Sequence, residues 1–235
     1  MTIADKLHSI KKILTETAIA CGRDPSTIKL VAVSKRHAIA SIEEAIEAGQ
    51  YLFGENYIQE AAEKIPRLNH GAAFHFIGHV QSNKAKQAAE LFSMIETVDR
   101  YKLAKALNTH LEKIERNLDI LIQVNIGRDM KKSGIMPDKT EELLKQIASF
   151  SRLRPLGLMT IPPLTNNIEE TRSYFKSLRL LGKVLAKQGL FADNKNIELS
   201  MGMSHDFKIA IEEGATIIRV GTAIFGPRSN TGDER

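Results

Sequence analysis

The sequence predicts an α/β protein that folds as one (β/α)8 barrel of the TIM type, preceded by an extra N-terminal helix. Short apolar segments alternate with amphipathic helical segments along the chain, and eight of the apolar segments have the length of strands. The chain has 235 residues, close to the roughly 250 of a single barrel of this kind. We therefore expect one domain over residues 1–235.

The strands are predicted where short apolar runs are bounded by turn residues. Alternation of strands with helices indicates a parallel sheet. Eight strands in a chain of this length favour a closed barrel, although periodicity alone leaves an open, doubly wound sheet as the alternative. The predicted strands are Ile28–Val33, Tyr51–Phe53, Phe74–Ile77, Phe92–Thr97, Ile120–Val124, Pro155–Met159, Asn196–Leu199 and Thr216–Val220.

The helices are predicted from apolar residues three and four positions apart, which lie on one helical face. In the first helix this stripe consists of Ile3, Leu7, Ile10 and Leu14, and Gly22 is a typical stop signal after it. Further helical segments include Ser41–Ala48, Tyr57–Ile65, Tyr101–Ile114, Lys139–Ile147 and Ile168–Lys187.

The composition is that of a globular protein. Hydrophobic residues make up 43% and charged residues 26%, which is enough to build a core. No apolar run approaches the roughly 20 residues of a membrane span, and the first residues do not resemble a secretory signal. Cys21 is the single cysteine, which excludes an internal disulfide and a cysteine-based zinc cluster. We expect a cytoplasmic protein with no membrane partner.

The net charge is +5 and the pI about 9.2, so nucleic acid has to be considered as a partner. The lysines and arginines are scattered, however, and no aromatic residues are interleaved with them as in proteins that bind single strands. We expect no specific nucleic-acid partner. A modest basic surface that attracts small phosphorylated ligands explains the charge equally well.

In barrels of this type the functional residues follow the carboxyl ends of the strands, and Lys35 follows the first. Val31, Val33 and Lys35 alternate, so a strand places them on one face, and Lys35 would point into the barrel mouth. Burial lowers the pKa of a lysine, and its neutral amine can then attack an aldehyde. The alternative is a lysine whose side chain extends from the strand end to water.

Two loops that follow the seventh and eighth strands have the composition of a phosphate site. Ser200–Ser204 and Gly221–Thr222 combine glycines with hydroxyl side chains, and barrels of this class often bind phosphate in these two loops. Glycine allows backbone N–H groups to approach an anion, and a helix N-terminus adds further donors. The alternative is ordinary helix capping and tight turns.

Arg219 ends an apolar strand, so it is expected to contact either a ligand near the phosphate loops or an acidic residue across the barrel mouth. His75 and His79 have neither a His/Glu helix motif nor an acidic partner, which argues against a metal site. His79 could instead line a ring-binding site or be structural. No dinucleotide, nucleoside-triphosphate or nucleophile-elbow motif is present.

Six segments, in order along the chain, resemble the pyridoxal phosphate homeostasis protein family. They are Val31–Lys35, Phe53–Tyr57, Phe76–Lys84, Gly157–Ile161, Leu199–Ser204 and Arg219–Gly226. Phe74 and His205 depart from the family pattern, which often has tryptophan and an acidic residue there. The resemblance implies a fold-type III barrel that binds pyridoxal 5'-phosphate (PLP), like that of alanine racemase but without the second, β-rich domain.

The resemblance also implies a set of PLP-binding residues. Lys35 would hold the cofactor as a Schiff base, Arg219 would face the pyridine nitrogen, and Asn56 and His79 would line the ring. Met159 is a further predicted binding residue. The phosphate would be held by Ser200, Met201, Gly202, Ser204, Gly221 and Thr222. No catalytic residue and no metal ligand is predicted.

The predicted function is to carry PLP and to deliver it within the cell to apo-enzymes that require it. An arginine offers only donors, so the ring nitrogen would stay unprotonated and the ring would be a weak electron sink. The resemblance implies that racemases take one acid/base residue from the second domain, which is missing here, and that the protein is a monomer. The alternatives are a small PLP-dependent racemase or lyase, and a Schiff-base aldolase for phosphosugars. Lys84 and Lys86 are either a second PLP-docking surface or solvated helix lysines.

Overall fold

Eight parallel strands form a closed barrel in the computed structural model, which describes residues 1–68 and 71–227. Each strand pairs with its neighbours in sequence, and β8 pairs with β1. The closed barrel is thus confirmed, and the open-sheet alternative is wrong. The strands begin and end within one or two residues of the predicted positions: β1 Lys29–Val33, β2 Leu52–Glu55, β3 Ala73–Phe76, β4 Met94–Val98, β5 Leu118–Gln123, β6 Leu153–Met159, β7 Glu198–Ser200 and β8 Ile217–Val220.

Helices follow the strands along the chain and pack against neighbouring elements of the barrel. They include every predicted helical segment. Their bounds are α1 Ile3–Ala20, α2 Ile39–Glu47, α3 Ile58–Lys64, α4 Ala85–Leu91, α5 Tyr101–Lys113, α6 Thr140–Ile147, α7 Ile168–Lys187, α8 Phe207–Glu212 and α9 Thr222–Phe225. Within the described ranges, no helix has both the length and the apolar character that crossing a membrane requires.

The extra helix α1 begins at a capping box and ends at the predicted stop signal. Thr2 and Asp5 form a capping box, in which each side chain accepts a hydrogen bond from the other residue's backbone N–H. The helix ends at Ala20, and Gly22 follows with a φ of +71°. Its apolar stripe is buried, and α1 packs against α2, α8 and α9. It therefore packs beside the junction where the first and last strands of the barrel meet.

The interior of the barrel is filled by side chains from alternate positions of several strands. Val31, Met94, Leu121, Met159 and Ile217 form one buried cluster there. At Gly54 in β2, a Cβ atom would lie 2.8 Å from Val31 Cγ1 and 3.0 Å from Ile77 Cδ1, closer than packed carbon atoms approach each other. Because glycine has no side chain, Gly54 leaves room for Val31 in the cluster and for Ile77 at the cavity.

Candidate functional site

A cavity of about 200 Å³ opens at the carboxyl ends of the strands. This volume is below the roughly 300–1,000 Å³ of sites for drug-sized ligands, so the cavity suits a small compound. Its walls combine apolar side chains with an amine, a guanidinium, hydroxyls and imidazoles. The lining residues are Val33, Lys35, His37, Asn56, Ile77, Ile161, Met203, Ser204, His205, Arg219, Gly221 and Thr222.

Lys35 lies two residues after Val33, the last residue of β1, and is half-buried. Val31 belongs to the cluster inside the barrel, and Val33 and Lys35 both line the cavity above it. The predicted alternation of these three residues is therefore confirmed. The pairing with β2 continues through Ser34, whose N–H donates to the Gly54 carbonyl at 3.0 Å. Lys35 is therefore directed into the barrel mouth, because residues two apart in an extended strand point to the same side.

The two loops predicted to bind phosphate meet at the cavity. The hydroxyl of Thr222, at the start of α9, donates a hydrogen bond to the Ser204 hydroxyl across 3.2 Å. Gly221 also lines the cavity, and a Cβ atom there would lie 3.3 Å from Val33 Cβ. Residues from the loops after β7 and β8 thus present two hydroxyls and a backbone segment to the same space.

Arg219 lies beneath these loops and is almost fully buried. Its Nη1 donates to Ser200 Oγ at 2.6 Å, and its Nη2 donates to the Thr160 carbonyl at 2.8 Å. Ser200 Oγ in turn donates to Glu96 Oε2 at 2.5 Å. Glu96 Oε1 lies 2.7 Å from His75 Nδ1. These side chains form a continuous buried polar chain from Arg219 to His75.

The buried chain of polar groups shifts the pKa of both its carboxyl and its guanidinium. Burial alone would raise the pKa of Glu96. The hydrogen bond and charge of His75, the charge of Arg219 and the hydrogen bond of Ser200 outweigh burial, so the pKa is lowered overall. Burial lowers the pKa of Arg219, and the Glu96 charge opposes this shift. Glu96 thus remains ionised and balances the charge of Arg219.

Two sequence-based interpretations change here. The expectation that His75 lacks an acidic partner is wrong, because Glu96 contacts it directly. Glu96 was missed altogether, although a charged residue two positions after Met94 in an apolar strand was a usable signal. The contact between Arg219 and an acidic residue is made through the Ser200 hydroxyl, so ligand contact and charge balance are not exclusive roles for this arginine.

The cavity contains six of the predicted binding residues: Lys35, Asn56, Ser204, Arg219, Gly221 and Thr222. The other predicted residues lie outside the described lining. Ser200 is engaged by Arg219 and Glu96, Met159 is in the barrel interior, and Met201 is in the core around the barrel. Gly202 accepts the Arg219 backbone N–H at 3.0 Å, and His79 is exposed. Their predicted contacts with PLP remain predictions.

Several lining residues were missed by the sequence reasoning. His37 is stacked on Phe225 with ring centroids 4.9 Å apart, and His205 follows Ser204 in the loop after β7. Ile77, Ile161 and Met203 supply apolar surface. The signal for Ile77 was its position at the end of the third predicted strand, Phe74–Ile77. His37 and His205 carried no signal beyond their position after a strand.

The residues present fit a small aromatic phosphate ester that carries an aldehyde. Asn56 Oδ1 is buried and has no hydrogen-bond partner among the described residues, and such an orphaned polar atom costs about 1–3 kcal/mol. An amide group offers both a donor and an acceptor to a ligand in the cavity. The amine of Lys35, the hydroxyls of Ser204 and Thr222, and the apolar walls supply the remaining complementary chemistry.

The comparisons with known proteins agree with this chemistry. The model of the alanine racemase N-terminal domain family matches residues 20–229. The alanine racemase of Corynebacterium glutamicum has a similar fold, with a TM-score of 0.72 at 18% identity over 99% of this chain and 62% of that chain. The fold and site therefore define the class as a barrel of the alanine racemase N-terminal domain type.

Curated relatives narrow the class further. The pyridoxal phosphate homeostasis protein of Pasteurella multocida is 41% identical over 231 residues, which cover 97% of this chain and 98% of the relative. The structure of PipY from Synechococcus elongatus with PLP bound has a TM-score of 0.82 and 35% identity, over 96% of this chain and 100% of that chain. This chain belongs to the pyridoxal phosphate homeostasis protein family, as the sequence motifs predicted.

Proposed function

We propose that this chain binds PLP in the cavity at the barrel mouth, with Lys35 as its covalent anchor, and carries the cofactor as part of PLP homeostasis. The observation that carries the proposal is the convergence of Lys35, Arg219, Ser204 and Thr222 on one small cavity. The PLP-bound structure of PipY, a relative with the same barrel, supports it.

Each side chain in the cavity has a role that follows from its chemistry. The Lys35 nitrogen would form a bond to the aldehyde carbon, with loss of one water. The hydroxyls of Ser204 and Thr222, with the backbone at Gly221, would hold the phosphate group. Arg219 would donate a hydrogen bond to the ring nitrogen, and Asn56 would contact a polar atom at the ring edge.

The surroundings of Arg219 favour carriage of PLP over catalysis. Bound PLP supplies an aldehyde and a ring that withdraws electrons well when its nitrogen is protonated. A guanidinium cannot accept that proton, and Arg219 is held in place by Ser200 and the Thr160 carbonyl. Arg219 would therefore leave the ring nitrogen unprotonated and the electron sink weak, so that racemisation would need acid/base residues on both faces of the substrate.

Delivery to other proteins is the finer part of the proposal. The half-buried position of Lys35 and the opening of the cavity at the barrel surface would allow the cofactor to leave without unfolding of the barrel. The partners would be apo-enzymes that contact the loaded protein transiently and take up its PLP. Transfer is tested by mixing the loaded protein with an apo-enzyme and following the gain of activity, with an equal amount of unbound PLP as the reference.

The primary test is the absorption spectrum of the protein incubated with PLP, before and after borohydride. We expect a visible-range band that borohydride removes, and a reduced adduct that mass spectrometry finds on the Lys35 peptide. Lys35→Ala should retain PLP through the phosphate contacts but give no adduct in the cavity.

Lys84→Ala and Lys86→Ala serve as controls, because Lys84 is half-buried, Lys86 is exposed and neither lines the described cavity. An adduct on Lys84 or Lys86 in the wild-type protein would support the second docking surface. Without a band and without any adduct the PLP proposal is wrong, and the phosphosugar aldolase becomes the better hypothesis.

A further inference from the structure

A buried lysine on α3 lies directly behind Lys35. Lys64 is only 8% exposed, and a lysine at such a position is costly unless its ammonium is paired. Its Nζ donates to the Ser34 carbonyl at 3.1 Å and lies 3.4 Å from Glu55 Oε1. It also forms an ion pair with Glu60, one turn earlier on the same helix. Lys64 therefore fixes the residue that precedes Lys35.

Glu60 fixes the residue that follows Lys35. Its Oε1 accepts a hydrogen bond from the backbone N–H of Arg36 and is the same atom that pairs with Lys64. Arg36 has a φ of +61°, a left-handed conformation that costs a residue with a side chain about 1–2 kcal/mol. Its guanidinium also lies 5.4 Å from the centre of the Tyr57 ring. The backbone turn at Arg36 is thus held by residues of the β2–α3 segment.

Glu55 completes this arrangement on the outer side of the barrel wall. Ser34 Oγ donates to Glu55 Oε1 at 2.7 Å, so Ser34 is held through both its carbonyl and its hydroxyl. Since Val33 and Lys35 point into the barrel, Ser34 between them faces outward, toward α3. The ionic cluster of Glu55, Glu60 and Lys64 therefore holds the backbone on both sides of Lys35 without lining the cavity.

We propose that Glu60 and Lys64 are positioning residues, which hold the backbone at Ser34 and Arg36 so that the Lys35 amine meets the PLP aldehyde in a reactive direction. The inference rests on the proposed function of Lys35. Misplacement of a reacting group by about 1 Å is enough to slow a reaction up to about a hundredfold. Loss of the contacts that Glu60 and Lys64 make with this backbone should therefore slow bond formation at Lys35, while the phosphate contacts of Ser204 and Thr222 persist.

The test compares Glu60→Ala, which removes the acceptor for Arg36, with Glu60→Gln, which keeps an acceptor oxygen. Bond formation at Lys35 is measured by borohydride trapping over a range of PLP concentrations. For Glu60→Ala we expect a limiting rate about tenfold lower, the effect of one hydrogen bond to a charged group, with an unchanged half-saturating concentration. Glu60→Gln should recover part of that rate. Lys64→Met should resemble Glu60→Ala.

The matched control is the ion pair between Glu141 and Lys145 on α6, which has the same spacing but is exposed and far along the chain from Lys35. Glu141→Ala and Lys145→Met should react at the wild-type rate. A second readout needs no PLP: hydrogen exchange at the Arg36 amide should be faster in Glu60→Ala than in the wild type. If Lys64→Met fails to fold, the two Glu60 variants carry the test.

The outcomes separate this inference from the proposed function. If the wild type forms no bond at Lys35, the proposed function fails. Hydrogen exchange at the Arg36 amide still reports whether Glu60 holds the backbone there. If the wild type reacts and Glu60→Ala reacts equally fast, the positioning role is wrong even where Arg36 exchange is accelerated. Equal losses in limiting rate and in PLP affinity would indicate general damage to the site and would also overturn the inference.

Discussion

Arg219 shows how a buried charge is accommodated beneath a ligand cavity. Its guanidinium donates to a hydroxyl and a carbonyl, and Ser200 connects it to the ionised carboxylate of Glu96. Removal of one member of such a buried set leaves the others unpaired, which is more costly than the interaction itself is stabilising. The charge beneath the cavity is therefore balanced, and Arg219 lines the cavity with further N–H donors.

Glu96 should make stability depend on pH in the acid range. Its folded pKa lies below the ordinary value of 4.5, so its contribution is complete above pH 4.5 and is lost as the pH falls through the folded pKa. We expect Glu96→Gln to flatten this fall in the free energy of unfolding, as measured by urea denaturation at a series of pH values.

Glu55 provides a control of opposite sign for that experiment. Burial raises its pKa above 4.5 in spite of Lys64 and Ser34, so its stabilising contribution is present below pH 4.5 and is lost as the pH rises through the folded pKa. Glu55→Gln should flatten the pH dependence on that side. If both variants changed the slope in the same direction, the assignment of one of the two shifts would be wrong.

Thr222→Ala should weaken the retention of PLP but not that of pyridoxal, which lacks the phosphate. Loss of one hydrogen bond to a charged group corresponds to about 1.5–3 kcal/mol, or roughly a tenfold to hundredfold higher Kd. Equilibrium dialysis of both ligands with Lys35→Ala as the background isolates the non-covalent part. An equal effect on PLP and pyridoxal would place the phosphate elsewhere in the cavity.

At the scale of elements, the loop between β7 and α8 requires a glycine for its backbone conformation. In the sequence, the same glycine is typical of a phosphate-binding loop. Gly202 has a φ of +93°, and a Cβ atom there would lie 2.5 Å from Ala210 Cβ on α8. Its carbonyl accepts the backbone N–H of Arg219. The glycine thus allows the loop to pass close to α8 and to hold β8 in register, whether or not it also approaches a phosphate.

Gly202→Ala should therefore destabilise the fold more than the same substitution at a glycine of positive φ that has open space around it. Gly189→Ala is the matched control, since its φ is +75° and a Cβ atom there would have nothing within 4 Å. We expect a loss of about 1–2 kcal/mol for Gly189→Ala from backbone conformation alone. Gly202→Ala should lose a further 1–3 kcal/mol, roughly, from overpacking. Equal losses in urea unfolding would mean that α8 moves to relieve the contact.

At the scale of the whole molecule, one barrel supplies all the described walls of the cavity. Residues at or after the carboxyl ends of β1, β2, β3, β6, β7 and β8 line it, so no second copy is needed to complete the described site. We expect a monomer with or without PLP, as measured by light scattering after size-exclusion chromatography.

A groove beside α7 is the surface to examine if a dimer is found instead. Leu180 and Val184 are about half exposed there, and Lys183 and Lys187 flank them. Val184→Glu should leave the molar mass of a monomer unchanged. A dimer that Val184→Glu dissociates would contradict the predicted monomer and locate its interface.

Local pattern predicted the strands, the helices and the face on which Lys35 lies, while the count of eight strands within this chain length favoured the closed barrel. Periodicity reports which face of a segment is buried, so the strands, the stripe of α1 and the inward direction of Val31, Val33 and Lys35 followed from the sequence. The motifs after the strands also identified the family, and six of the predicted binding residues reach the cavity.

Only the tertiary structure decided which polar residues share the cavity. His79 and Ser200 follow or end strands as His37 and His205 do, yet His79 is exposed and Ser200 is engaged beneath the floor. The contacts of Glu96 with His75 and of Glu60 with Arg36 join residues 21 and 24 positions apart. Such contacts depend on how neighbouring strands and helices are rotated against one another when the barrel closes. Local periodicity carries no information about that rotation, because it describes one segment at a time.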